Sequence, residues 1–509
     1  MKKWMFMTAV ASVMLLGSCS TDGDVPQNME EARQKELVPV SFGTYMGNDQ
    51  KAETRSGYTG NIGNTELGSQ GFGVIGVYTK GESYNSLSAA EDKTPDFMYN
   101  EKIISDGSGG WKYAVTANTK YWPNDFVSGA VDPDTNPSSG AGTGGKVSFF
   151  AYAPYVDVNY SSTPKGQAGD TTFGITALSA NDAGTENPSL SYTIKEGSFV
   201  DVLWGTANGS DVNVLGGSNA GDFVTTTNWY YPNGGSETVA SSPTGSQVPV
   251  LGNVNIDLTK QKTGGKVKFL FKHALAQFGN YQDDATKGGL QIKLDVDATD
   301  DTSANTDTKT RVTINSIKIT SDESLARNKI YTQGVLDLAT GYWKAASGSP
   351  TVVIKRQIVP SSTSPITDGY TRLLLNPEIA DPGTVSTSGG DWTSGMVAGV
   401  VGSTLKNVYK TAPDALVFFP GTQPKFTFEV DYFVRTADNK LAQGYSEVRQ
   451  KISKTVEFGK PVEMNKIYNM IIHLGLTSVK FEATVSDWEN ATMSGVSGTE
   501  VVHLPINVD

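Results

Sequence analysis

Apolar residues in this chain recur with period two, in short runs separated by polar stretches rich in Gly, Ser, Thr, Asn and Pro. Period two puts successive side chains on opposite faces of an extended strand, so the pattern predicts half-buried β-strands. The first run covers residues 37–46, where Val38, Val40, Phe42 and Met46 share one face with Thr44 in phase. A polar loop over 47–54 then carries Arg55 and Ser56. Strands are expected next at GFGVIGVYT (71–79), DFMYNEKI (96–103) and WKYAV (111–115), the last two as a hairpin around DGSGG (106–110). VSFFAYAPY (147–155), SLSYTI (189–194) and FVDVLWG (199–205) complete the first half.

The stretch 231–249, YPNGGSETVASSPTGSQVP, has no apolar period and predicts a linker or surface loop, with a domain boundary near Val250. Beyond it, KVKFLFKHALAQF (266–278) alternates Val267, Phe269 and Phe271 with Lys266, Lys268 and Lys272. Further strands are expected at 254–258, 290–296, 311–320, 335–338, 351–355, 415–420, 425–434, 454–458, 466–476 and 479–488. In the closing segment, 499–509, Val502, Leu504, Ile506 and Val508 alternate with His503, Pro505 and Asn507. Proline cannot donate to a ladder, so this is an edge strand or an added one. No amphipathic helix of three or more turns is visible. The predicted class is mainly β, built of β-sandwiches, and the length suggests two or three domains.

A chain of 509 residues exceeds one small core. Its net charge of −12 comes without a cluster of Lys or Arg, which argues against a nucleic-acid partner. The N-terminus changes the picture more. Lys2 and Lys3 precede an apolar stretch over 4–16, too short to span a bilayer but suited to a signal-peptide core. It ends in Leu16-Gly17-Ser18-Cys19, similar to the lipobox of bacterial lipoproteins, in which the cysteine thiol is lipidated. Cys19 is the only cysteine, so no disulfide can form within the chain. Residues 20–36, with Asp22, Asp24, Glu30 and Glu31, read as an acidic tether.

Candidate chemistry is sparse. Gly71-Phe72-Gly73-Val74-Ile75-Gly76 fits GxGxxG literally, but it leads on into a strand where a dinucleotide site needs a helix N-terminus. His273, His473 and His503 have no second His or Cys at metal-ligand spacing. Asp295, Asp297, Asp300 and Asp301 lack the glycine and terminal glutamate of an EF-hand loop and read as solvated loop charge, with adventitious calcium second. Trp111, Tyr113, Tyr121, Trp122, Phe149, Phe150, Tyr152 and Tyr155 could stack on sugars, although aromatic residues alternating in strands are more often core. No cofactor and no catalytic set is nominated.

Taken in order, the lipobox at Cys19, the first strand followed by Thr54-Arg55-Ser56, GFGVIGVYT, DFMYNEKI, KYWPN with VSFFAYAPY, FVDVLWG, FKHALAQF, VLDLATGYW and KIYNMIIHLGLTSVKFEATVSDW resemble the fimbrillins of the Bacteroidetes, the type V pilins. The resemblance implies two transthyretin-like β-sandwich domains in tandem, over 56–249 and 250–490. A signal peptide over 1–18 would precede a propeptide over 19–55, and 491–509 would form a donor tail. It implies export as an outer-membrane lipoprotein with a lipid anchor, then cleavage by an Arg-specific protease between Arg55 and Ser56. The groove left by the first strand would be filled by a neighbouring pilin subunit in a cell-surface fimbrium. In that scheme Val502, Leu504 and Ile506 of one subunit replace Val38, Val40 and Phe42 of the next. A host or bacterial surface ligand would be a further partner. The rival reading is a monomeric surface lipoprotein, or a tip adhesin, that binds glycans.

Overall fold

The computed structural model describes residues 38–45, 64–80, 82–84, 87, 93–123, 145–159, 167–168, 173–179, 187–195, 200–207, 223–225, 247–249, 255–259, 263, 265–279, 289–294, 310–339, 341, 343–345, 350–381, 396–397, 405–410, 416–459, 461–475, 479–487, 502–504 and 506–508. The chain divides into a unit Met1–Val38, of which Val38 alone is described, and a unit Pro39–Asp509 that holds the sheets.

The fold is almost entirely β. One sheet runs, neighbour to neighbour, through Ser41–Tyr45, Lys266–His273, Leu203–Ala207, Lys146–Ala153, Phe72–Lys80, Met98–Ser105 and Trp111–Tyr113. Asn255–Leu258 pairs with Lys146–Ala153 off this path. A second sheet is built on Trp343–Ala345, Gln333–Asp337, Ser189–Thr193 and Gly174–Ser179. A third contains Leu290–Leu294, Lys466–Leu474, Ala276–Phe278 and Leu416–Phe418, with Val479–Asp487 along Lys466–Leu474. The fourth orders Thr371–Leu374, Lys355–Val359, Thr310–Ser321, Lys425–Ala437 and Tyr445–Phe458. The α-helix Asn64–Gln70 makes two turns, buries Leu67 and stops at Gly71. Gly71 has φ +75° and donates its N–H to the Leu67 carbonyl, a left-handed cap that favours glycine.

Two cores follow from this arrangement. One lies between the third and fourth sheets and includes Ile292, Ile314, Ile358, Phe428, Tyr432 and Met470. The other joins the first and second sheets through Ile75, Phe150, Tyr192, Trp204, Leu336 and Trp343. The second core also takes in Val417 and Ile467 from the third sheet, and Phe419 just beyond the strand Leu416–Phe418.

The boundary expected near Val250 does not separate these sheets. Lys266–His273 lies inside the first sheet, and Gln333–Asp337 and Trp343–Ala345 complete the second. The reason is packing: Trp343 donates its indole N–H to the Ala274 carbonyl at 2.6 Å, and its ring lies 4.8 Å from that of Phe419. Trp204 in turn donates to Leu338 O at 2.9 Å, so each part of the chain fills the other's core. The run 266–278, expected as one strand, breaks at Ala274-Leu275. Lys266–His273 stays in the first sheet, and Ala276–Phe278 enters the third.

Tyr445–Phe458 is far longer than the strand expected at 454–458, because its first part, 445–453, is mostly polar or charged and holds only Tyr445, Val448 and Ile452 as apolar residues. Cross-strand ion pairs replace the apolar signal: Arg435 Nε to Glu447 at 2.6 Å, Arg449 Nη2 to Asp431 at 2.6 Å and Lys451 Nζ to Glu429 at 3.2 Å.

Trp343→Ala removes a buried ring and a hydrogen-bond donor at the junction of the sheets. It is expected to cost about 3–5 kcal/mol, read as a lower urea midpoint in the full chain.

Candidate functional site: the first-strand groove

Ser41–Tyr45 is an edge strand that pairs in parallel with Lys266–His273, Ser41 opposite Lys266, Phe42 opposite Val267 and Thr44 opposite Phe269. The alternation in the sequence is realised: Val40 and Phe42 are 1% and 2% exposed, while Ser41 between them is exposed. Phe42 sits in a nest of rings. Its centroid lies 6.3 Å from Phe72, 5.8 Å from Tyr113, 6.2 Å from Phe149 and 6.2 Å from Phe269, the first three edge-on and the last stacked. Such pairs contribute about 0.5–1.5 kcal/mol each beyond the area they bury.

The strand is also held on its far side. Pro39 bridges Tyr121, and the Val40 N–H donates to the Lys120 carbonyl at 2.9 Å. Tyr113 donates its hydroxyl to Val40 O at 3.1 Å. Burial raises the Tyr113 pKa well above its ordinary value, so it remains a donor. The Gly265 carbonyl accepts three hydrogen bonds at 3.1 Å, from Ser41 N–H, Ser41 Oγ and the Trp122 indole. The strand therefore closes the gap between Lys266–His273 and the segment 113–122. Taking it away would uncover an apolar slot and the unused backbone groups of Lys266–His273.

At the other end of the chain, Val502–Leu504 pairs with the third sheet and Ile506–Val508 with the fourth. The registers place Leu504 opposite Ala483, Val502 opposite Val485, Ile506 opposite Phe458 and Val508 opposite Val456. Each ladder is three residues long. The structure thus has the tail closing one side of its own sandwich.

No family model matches the chain, and no curated protein matches it. Among solved structures, the chain is similar to a fimbrial protein from Bacteroides vulgatus ATCC 8482, with 17% identity and a TM-score of 0.48. That likeness covers 88% of this chain and 99% of that one. It is also similar to a "putative cell adhesion protein" from Bacteroides uniformis ATCC 8492, with 13% identity and a TM-score of 0.32 over 88% of this chain and 99% of that one.

The remaining sequence candidates are distributed as follows. Cys19, Met46, Arg55, Ser56 and the acidic group Asp295, Asp297, Asp300 and Asp301 lie outside the described residues. Val38 belongs to the N-terminal unit. Phe149, Phe150, Tyr152, Trp122 and Tyr113 are core, Trp111 and Tyr155 are half-buried, and Tyr121 is exposed, so this set forms no continuous stacking face. Gly73 of the GxGxxG string sits within a strand, where a Cβ would meet Tyr152 Cε1 at 2.5 Å. His273 is buried against Asp201, Nδ1 to Oδ2 2.6 Å, and His473 lies 2.9 Å from Glu482. Among the described residues no three His, Cys, Asp or Glu side chains come together as a metal site would need.

Sequence reasoning missed the polar fittings of the groove: Lys120 O, Gly265 O, the Tyr113 hydroxyl and the Trp122 indole. Backbone acceptors leave no trace in side-chain patterns, and in the sequence both aromatic residues also read as candidate stacking faces.

Phe42→Ala in the full chain is expected to cost about 3–5 kcal/mol by emptying the ring nest. Tyr113→Phe should cost only about 0.5–1.5 kcal/mol. Thermal unfolding of the two variants beside the parent checks the order.

Proposed function

We propose that this chain is a structural pilin subunit of a cell-surface fimbrium, matured by removal of its first strand and polymerised by strand donation. The observation that carries this reading is the position of Ser41–Tyr45: a strand with a buried apolar face at the edge of its sheet, followed in the sequence by a polar loop bearing Arg55. The resemblance of the sequence to fimbrillins supports the same reading.

In this scheme the precursor is held at the outer membrane by lipid on Cys19. Two or three acyl chains, at about 0.8 kcal/mol per buried CH₂, hold it there firmly. An Arg-specific protease cuts between Arg55 and Ser56 and releases the piece that contains Val40 and Phe42. Losing those two side chains re-exposes apolar surface worth, as an upper estimate, roughly 3–6 kcal/mol. A second subunit restores it by adding its tail, 499–509, as a new edge strand. The cis ladders of that tail, three residues each, are short enough to give up in exchange. Donor and acceptor surfaces differ, so the contact is head-to-tail and propagates as an open filament. While the first strand is in place the groove is full, and assembly is blocked.

Digestion with an Arg-specific protease, followed by a denaturing gel without boiling, tests this. The expected result is a product beginning at Ser56 and a ladder of multimers. Arg55→Ala should abolish both, and deleting 499–509 should abolish the ladder alone. An uncut chain that polymerises as well as the cut one would overturn the reading.

A further inference from the structure

The strand-donation reading leaves open which tail residue enters which pocket. Simple apolar alternation pairs Val502, Leu504 and Ile506 with Val38, Val40 and Phe42. That register places Pro505 at the position of Ser41. Ser41, however, donates its N–H to Gly265 O at 3.1 Å and its hydroxyl to the same oxygen at 3.1 Å. Proline has no N–H and no polar side chain, so it would forfeit both bonds.

Moving the tail by two residues removes the conflict. Val38-Pro39-Val40-Ser41-Phe42-Gly43 then aligns with Leu504-Pro505-Ile506-Asn507-Val508-Asp509, proline on proline. Pro39 is the one position of the first strand that contributes no N–H. Ile506 would supply the N–H that Val40 gives to Lys120 O, and Asn507 the N–H that Ser41 gives to Gly265 O. The Asn507 amide offers a further donor in place of the Ser41 hydroxyl. Ile506 fills the Val40 pocket, and Val508 enters the ring nest of Phe42. A slip of one residue instead would send both to the wet face.

Charge supports the same register independently. Asp509 falls on Gly43, where a Cβ would stand 2.8 Å from Lys266 Cε and 3.7 Å from Lys268 Cγ. A carboxylate there lies between two lysines on the exposed face, and the end of the Lys266 side chain is flexible enough to make room. The unshifted register puts neutral Asn507 at that point.

We infer that the tail of a second copy of this chain enters the groove parallel to Lys266–His273 with Pro505 in the place of Pro39, which seats Ile506, Asn507, Val508 and Asp509 at positions 40 to 43. This rests on the strand-donation reading and is tested so that the two can fail separately. Residues 56–509 contain no cysteine, so engineered pairs report cleanly. Asn507→Cys is combined with Lys266→Cys in one full chain and with Lys268→Cys in another, both acceptor positions being exposed. Register neighbours on adjacent strands fall within the Cα separation that a disulfide tolerates. After cleavage, assembly and oxidation, the Lys266→Cys chain should give a covalent ladder on a boiled non-reducing gel, at least ten-fold stronger than the Lys268→Cys chain. Val508→Phe should raise the temperature at which multimers dissociate, by refilling the Phe42 nest. Cross-linking through position 268, or resistant multimers with no cross-link at either position, would overturn the register alone. Failure of the unsubstituted cut chain to form multimers would overturn strand donation and the register with it.

Discussion

Phe42 is the residue on which the first sheet closes. It comes from the start of the chain, yet its ring is surrounded by Phe72, Tyr113, Phe149 and Phe269, which come from four other strands. Around it, Ser41 and Val40 join two edges, donating to Gly265 O on one side and Lys120 O on the other. A strand so placed carries high energetic weight for its length, because two buried side chains and two backbone donors hold both edges together.

The same strand rests on Lys266–His273, which runs through Ala274 and Leu275 directly into Ala276–Phe278 of the third sheet. Ala274 and Leu275 are fully buried, and the Ala274 carbonyl receives the Trp343 indole. The sandwiches are therefore interlocked through shared strands and shared core.

Strands were most legible in the sequence where a strict apolar–polar alternation marks one buried and one wet face, whereas Gly174–Ser179 carries no such signal and was not expected. Lys266–His273 shows the alternation, because Val267, Phe269 and Phe271 alternate with lysines and the structure buries the apolar three. Partnership between strands was not legible. Polar composition over 231–249 shows no apolar period, but it says nothing of which sheet the chain joins next, and Lys266–His273 pairs into the first sheet while Trp343–Ala345 joins the second. Tyr445–Phe458 was mostly hidden because ion pairs such as Arg435 to Glu447 stand in for apolar alternation. The groove was half legible: Val40 and Phe42 carry a side-chain signal, whereas the acceptors Lys120 O and Gly265 O are backbone atoms common to every residue.

The central claim is that one edge of Lys266–His273 is occupied by the chain's own first strand before cleavage and by another subunit's tail after it. Amide hydrogen exchange of Lys266–His273 measures this directly in three states: uncut chain, cut chain lacking 499–509, and assembled multimer. The account predicts slow exchange in the first, acceleration in the second and slow exchange again in the third. Equal protection in all three states would contradict it.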